Sequence, residues 1–208
     1  MLRVRDLGVV ILLVAGCSRG DDPTLSGEFS DDFERSELGP SWRNTGGPYR
    51  IVDGELRVAG AHNHPLWLRK RLPDGVRVTF DVRSDSSDGD IKFELFGDGV
   101  SFAREASYVA TGYVVVFGGW HNQRNVIARL DEHGTDRQVR HDPRVVRGQT
   151  YRIKAERRGG LLRWWVDDEL MLEFDDALPL KGPGHDHFGF NNWETRLSFD
   201  NLRIAPLE

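Results

Sequence analysis

Tryptophan, histidine, asparagine and carboxylate side chains cluster at a few points of this 208-residue chain, and they bound the chemistry it could do. Gly118-Gly119-Trp120-His121-Asn122 sets a large ring, an imidazole and an amide on a glycine-rich backbone. Asn191-Asn192-Trp193-Glu194 repeats that composition. Aromatic faces stack on the apolar faces of sugar rings, while Asn and His give directional hydrogen bonds to hydroxyls. Trp120, His121, Asn122, Asn192 and Trp193 are therefore candidate ligand-binding residues. The competing reading is that these tryptophans pack at the rim of a core.

Lys92, Glu94, Arg129 and Asp131 occupy the polar parity of otherwise apolar stretches. If those parities share a face, they line a groove of mixed charge in which Glu94 and Arg129 orient a hydroxylated or acidic ligand. Glu94 and His133 are the candidate catalytic groups, His133 with Glu132 as an acid/base pair. The alternative is a solvated sheet face whose ion pairs each contribute less than about 1 kcal/mol; for Asp131 and Glu132 that reading is preferred. His62-Asn63-His64 and His185-Asp186-His187 each hold two imidazoles at i, i+2. If extended, each pair projects from one face and could chelate a transition metal. Both runs lie among Pro and Gly, and hydrogen-bonding structural histidines are the commoner case, so no metal or other cofactor is assigned. The sequence has no phosphate-cradling Gly-Lys-Ser/Thr loop, Gly-x-Ser-x-Gly elbow, His-Glu-x-x-His run or Cys pair. Nucleotide chemistry, serine esterase chemistry, zincin proteolysis and thiol redox have no foothold.

The elements that must position these groups read as strands. Tyr113–Phe117 is apolar on both parities, as in a strand buried on both faces at the centre of a sheet. In the next run Val126, Ala128 and Leu130 alternate with Asn125, Arg129 and Asp131. Val76–Arg83 and Ile91–Leu95 alternate cleanly, and Asp53-Gly54 between Tyr49–Val52 and Glu55–Val58 is a two-residue hairpin turn. Thr150–Arg157, Leu161–Asp167 and Leu170–Phe174 form a meander, in which one of Trp164 and Trp165 must face inward. About a dozen short strands and 23 glycines predict an all-β two-sheet sandwich.

The N-terminus addresses compartment. Arg3 and Arg5 precede the apolar run Leu7–Ala15, which is too short for a bilayer span of about 20 residues. Residues 1–16 read as a secretory signal. Val14-Ala15-Gly16-Cys17 resembles the bacterial lipobox, in which the Cys is acylated and becomes the mature N-terminus; Ser18 after it suggests the outer membrane. Cys17 is the single cysteine, so no internal disulfide can form. Residues 17–27 are expected to be the lipidated Cys and a flexible tether, and 28–208 the folded domain. The 28 basic and 33 acidic residues give a formal net charge of −5, and no basic patch suits nucleic acid.

Several phrases are familiar in combination. FSDDFE at 29–34, Trp42, YRIVDGELRV at 49–58, WWVDDELMLEF at 164–174 and FDNLRI at 199–204 together resemble concanavalin A-like lectin/glucanase domains. Bacterial members include laminin G-like modules and 3-keto-disaccharide hydrolases. The resemblance covers nearly all of 28–208. It implies a jelly-roll sandwich of two antiparallel sheets of six or seven strands, with first and last strands adjacent and the concave sheet used for carbohydrate. Retaining glucanases on this scaffold resemble one another in a Glu-x-Asp-x-x-Glu strand. The nearest stretch here, Glu94-Leu95-Phe96-Gly97-Asp98, departs from it, so their carboxylate pair is not visible locally. The expectation is an outer-membrane lipoprotein, held to the membrane by its lipid alone, whose domain binds a glycan. The alternatives are a glycoside-processing hydrolase or lyase of the 3-keto-disaccharide type and a structural envelope protein.

Overall fold

The computed structural model of the chain describes residues 22–104 and 108–207. In chain order its strands are β1 (Phe29–Asp31), β2 (Trp42–Asn44), β3 (Arg50–Val52), β4 (Glu55–Val58), β5 (Leu66–Leu68), β6 (Val76–Ser84), β7 (Ile91–Gly97) and β8 (Tyr113–Gly118). A helical turn α1 (Gly119–Asn122) leads into β9 (Arg124–Arg129), then β10 (Arg137–Arg140), β11 (Thr150–Arg158), β12 (Leu161–Val166), β13 (Glu169–Asp175), β14 (His187–Asn191) and β15 (Leu197–Pro206). The strands form two antiparallel sheets. One runs β13-β12-β11-β6-β15-β4-β3 with β1 also on β15; the other runs β10-β9-β8-β7-β14-β5-β2. First and last strands are thus neighbours, with Phe29 opposite Ile204.

Alternation decides which side chains meet between the layers. Val76, Val78, Phe80 and Val82 of β6 and Ile91, Phe93 and Leu95 of β7 turn inward and are essentially buried. Phe80 of one sheet meets Phe93 and Phe190 of the other edge-on, at 5.2 and 5.3 Å between centroids. Such pairs add about 0.5–1.5 kcal/mol to the area they bury. Trp164 is the inward member of its pair; Trp165 instead receives Lys154 on its face, 4.5 Å from the centroid. Asp53 and Gly54 both have positive φ, 53° and 74°, as the two-residue turn requires.

The doubly apolar β8 lies inside its sheet between β7 and β9, and every residue of it is buried. Its second face is covered by residues 98–104 and 108–111. Ala103, Tyr108 and Ala110 pack there on Val114, Val116, Val126 and Ala128 as a second apolar cluster. The structure differs from the sequence reading at three places. In β9 the alternation has the opposite sense: Val126 and Ala128 share the outer face with Lys92 and Glu94, while Ile127 faces the main core. β10 was not expected, because Arg137-Gln138-Val139-Arg140 holds one apolar residue and pairs only at the sheet edge. Part of the expected tether is docked: Thr24 bridges Arg71, Leu25 N–H donates to the Arg71 carbonyl, and Asp22 pairs with Arg43. Residues 1–16 and Cys17, with the signal and lipidation readings, lie outside the described residues. Among the described residues no helix is long and apolar enough to cross a membrane.

Candidate functional site

The floor of the site comes from β7. Because Ile91, Phe93 and Leu95 face the core, Lys92 and Glu94 must face the opposite way, over Val116 and Val114 of β8. The Lys92 ammonium, 3% exposed as a residue, lies 3.0 and 2.9 Å from the two carboxylate oxygens of Glu132 and donates to Asn63 Oδ1 at 3.1 Å. Burial works against its charge. The attraction of Glu132 and Asp90 outweighs it and holds the ammonium above its ordinary range. Asp90, just before β7, is raised by burial, and Glu132, Asp88 and Glu194 add to that effect against the pull of Lys92.

Glu94 is sealed one pair further along the strand. Tyr108 Oη and Asn191 Nδ2 donate to its Oε1 at 2.8 and 2.7 Å, and Oε2 has no partner among the described residues. Burial pushes this carboxyl up to about 8, although both hydrogen bonds and Lys92 act in the other direction.

Two loops raise the walls. At the β8–β9 corner the backbone turns left-handed, with Gly118 at φ 71°, Trp120 at 52° and His121 at 57°. For residues other than glycine this conformation costs about 1–2 kcal/mol each. It is held by Asn122, whose amide donates to the Val145 carbonyl at 2.7 Å while its oxygen accepts from Val145 N–H at 2.8 Å. The turn presents Trp120 with His133 edge-on to its ring at 5.4 Å, and with Arg124 and Arg137 5.7 and 5.6 Å from the ring centroid. Opposite, the β14–β15 loop presents Trp193, 37% exposed and braced by the edge of His62 at 4.8 Å. Between the walls lies a cavity of about 360 Å³. Asp90, Lys92, Glu132, Tyr108 and Thr195 reach its surface, and Asp88, His121 and Glu194 stand at its edge.

No family model and no curated protein sequence matches the chain. Solved structures do. A Bacillus subtilis protein of unknown function with a galectin-like fold superposes with a TM-score of 0.65 at 15% identity, covering 86% of this chain and 94% of that one. The carbohydrate binding module CBM66 from B. subtilis gives 0.60 at 14%, over 79% and 95%. A β-1,3-1,4-glucanase (lichenase) from a mouse hindgut metagenome gives 0.62 at 13%, over 86% and 99%. The fold is a jelly-roll sandwich.

The jelly roll brings Trp120, His121, His133 and Trp193 to one cavity and takes the other expected residues elsewhere. Asn122 is occupied in holding its turn. Asn192 is fully buried and ties Ala61 N–H to the Thr195 carbonyl. Arg129 belongs to the opposite parity of β9: it reaches Asp176 at 3.0 Å, beside the Tyr113 hydroxyl, because Tyr113 is its register partner. Glu94 lies behind Tyr108 and not at the cavity surface. The histidine pairs do not form a ligand set. His62 and Asn63 are left-handed rather than extended; His64 stacks on Phe102; His185 bonds the Thr111 carbonyl; His187 lies 2.7 Å from Asp186. Among the described residues no three His, Cys, Asp or Glu side chains form a group able to hold a metal. Sequence reasoning passed over Asp90 and undervalued Glu132. The signal for the first was Asp90-x-Lys92-x-Glu94, three charged residues on one parity of an apolar strand.

Proposed function

We propose that this jelly-roll domain binds carbohydrate at the cavity between Trp120 and Trp193. The observation that carries the reading is the facing pair of aromatic walls above a hydrogen-bonding floor of Lys92, Glu132, Asn63 and Asp90. Sugars present that same combination of apolar ring faces and hydroxyls. Jelly-roll neighbours that include a carbohydrate binding module and a lichenase agree with it at the level of fold. Trp193 is the freer platform, since Trp120 already has two guanidinium groups and an imidazole against it. Glycan-array binding that falls about tenfold in Trp193→Ala, with the melting temperature kept, supports the reading. No binding across broad panels of glycans overturns it.

The run Leu7–Ala15 and Cys17 support a second part of the proposal, that the domain is carried by an outer-membrane lipoprotein. Acyl labelling of the wild type that is lost in Cys17→Ala, with release of the protein from the membrane fraction, tests it.

A hydrolase or lyase is the alternative reading, favoured by one observation: burial raises the Asp90 carboxyl beside Glu132, which pairs with Lys92, and two carboxyl groups in unlike surroundings are what glycoside hydrolysis uses. Turnover of oligosaccharides or oxidised disaccharides that is lost in Asp90→Asn while binding survives would select it.

A further inference from the structure

The outer face of the β7–β8–β9 sheet would offer a long trough if it were bare. It is not bare. Residues 98–104 and 108–111 lie over it as the two described parts of a strap, one tied at each side of the cavity. Ala103 N–H donates to the Asn63 carbonyl at 2.8 Å, and Ala110 N–H donates to the Leu130 carbonyl at 2.9 Å. Beneath it, Trp67 is completely buried with its indole N–H on the Ser101 carbonyl at 3.0 Å, and Tyr108 covers Glu94.

The ties join the described parts of the strap to the other walls of the cavity. From the strap the wall passes through Asn63, whose N–H donates to the Asn192 carbonyl at 2.9 Å, and through His62, whose N–H donates to the Trp193 carbonyl at 3.0 Å. On the other side it passes from Leu130 to Glu132, and then to His133 against Trp120. Described residues stand on three sides: Tyr108 of the strap, the 62–63 turn with Trp193, and the Trp120–His133 pair. The remaining side opens between His121, Asp88 and Glu194. A chain entering there meets Tyr108. The volume, about 360 Å³, is also near the lower end of the roughly 300–1,000 Å³ usual for small-ligand sites.

We infer that the cavity receives the end of a glycan chain, one or two sugar rings, and excludes internal stretches of polysaccharide. The inference rests on the carbohydrate reading above and narrows it. The charges narrow it further. Lys92, the one lysine among the described residues at the cavity surface, already faces Glu132 and Asn63, while Asp88, Glu132 and Glu194 surround the space. The described lining residues include no arginine and no further lysine, the guanidinium groups of Arg124 and Arg137 being engaged on the Trp120 ring, so a uronate or sulfated end would meet chiefly carboxylates and the terminal sugar is uncharged or carries an amine.

The test uses the full domain and a panel of neutral polysaccharides, each presented intact and after limited hydrolysis to short oligosaccharides, at equal mass. Binding that rises in proportion to the number of chain ends, at least tenfold between long and short preparations, is expected. Complete competition by the corresponding mono- or disaccharide is expected with it. Equal binding per unit mass of intact and cleaved chains, or failure of short sugars to compete, overturns the end-on inference while leaving the carbohydrate reading standing. Uronate-terminated oligosaccharides should bind at least tenfold more weakly than neutral ones of the same length; equal or tighter binding overturns the charge assignment. Absence of binding to every preparation removes the carbohydrate reading and this inference with it.

Discussion

The ammonium of Lys92 and the carboxylate of Glu132 form an ion pair that is almost wholly buried, 3% and 6% exposed, on the floor of the cavity. Lys92 is the second residue of β7 and Glu132 lies in the turn after β9, and Asn63 from a third segment adds an acceptor for the lysine. Such a pair contributes little net stability over an apolar replacement, because both charges were taken out of water. Removing one partner is different, since it strands the other. Lys92→Met should therefore destabilise the domain by about 3–5 kcal/mol. Lys92→Met with Glu132→Gln should recover most of that loss. Urea unfolding of the two variants measures the difference; equal losses would mean that the pair is not coupled.

Glu94 predicts a pH dependence with an unusual sign. Its carboxyl ionises near 8 in the folded chain and near 4.3 when unfolded, so the folded state holds the proton more tightly. Its contribution to stability is fully present below about pH 4 and is lost as pH rises through 8. Across that window stability should fall by at most about 1.4 kcal/mol per pH unit from this group. Glu94→Gln keeps an acceptor for Tyr108 and Asn191 and has no proton to lose. The variant should unfold at nearly the same urea concentration at pH 5 and pH 8, where the wild type drops. A wild type with no such drop would mean that Glu94 is ionised in the folded state.

Much of this was legible in the chain, and what was not has identifiable causes. Tyr113–Phe117 could be placed inside a sheet because five consecutive apolar residues leave neither face for water. Asp53-Gly54 could be placed in a turn because both positions tolerate positive φ. The sense of β9 could not be read, because alternation distinguishes two faces without saying which is the core. Here both are covered, one by the facing sheet and one by the strap, so Val126 and Ile127 are equally buried. Trp120, His121 and Trp193 could be named from composition. Asn122 and Asn192 have the same composition but are consumed by backbone contacts that only the folded loops create. Glu132 was read as a solvated charge because its partner Lys92 is 40 residues away in the chain.

Trp67 depends on two glycines. A Cβ on Gly189 would lie 2.7 Å from the Trp67 ring, and one on Gly97 would also fall inside contact distance of it. The ring is fully buried under the strap and cannot retreat without lifting it. Gly189→Ala should cost about 1–3 kcal/mol as an overpacking change. It should also loosen residues 98–104, seen as faster amide exchange of Ala103 than in the wild type. Unchanged stability and exchange would show that Trp67 can shift freely.

Asp31 joins the two sheets at their chain-terminal end. It lies on β1, yet its Oδ2 accepts from Trp42 Nε1 on β2 of the opposite sheet at 2.8 Å, and Arg35 reaches its two oxygens at 2.5 and 2.7 Å. Burial raises this carboxyl, but the bonds from Arg35, Trp42 and the Phe33 amide together outweigh burial and hold it below its ordinary value. A lowered carboxyl stabilises the fold above its unfolded value near 3.9, and that contribution is lost as pH falls through the folded value. Asp31→Asn keeps the shape and removes the charge that Arg35 and Trp42 address. It should cost about 1.5–3 kcal/mol at pH 7, the range for hydrogen bonds to a charged group. The gap between variant and wild type should shrink steadily as the pH is lowered below 4, where the wild-type carboxyl itself becomes neutral. Urea unfolding at pH 7, 4 and 3 follows that convergence, and a gap that stays constant across the series would place the effect in packing rather than in charge.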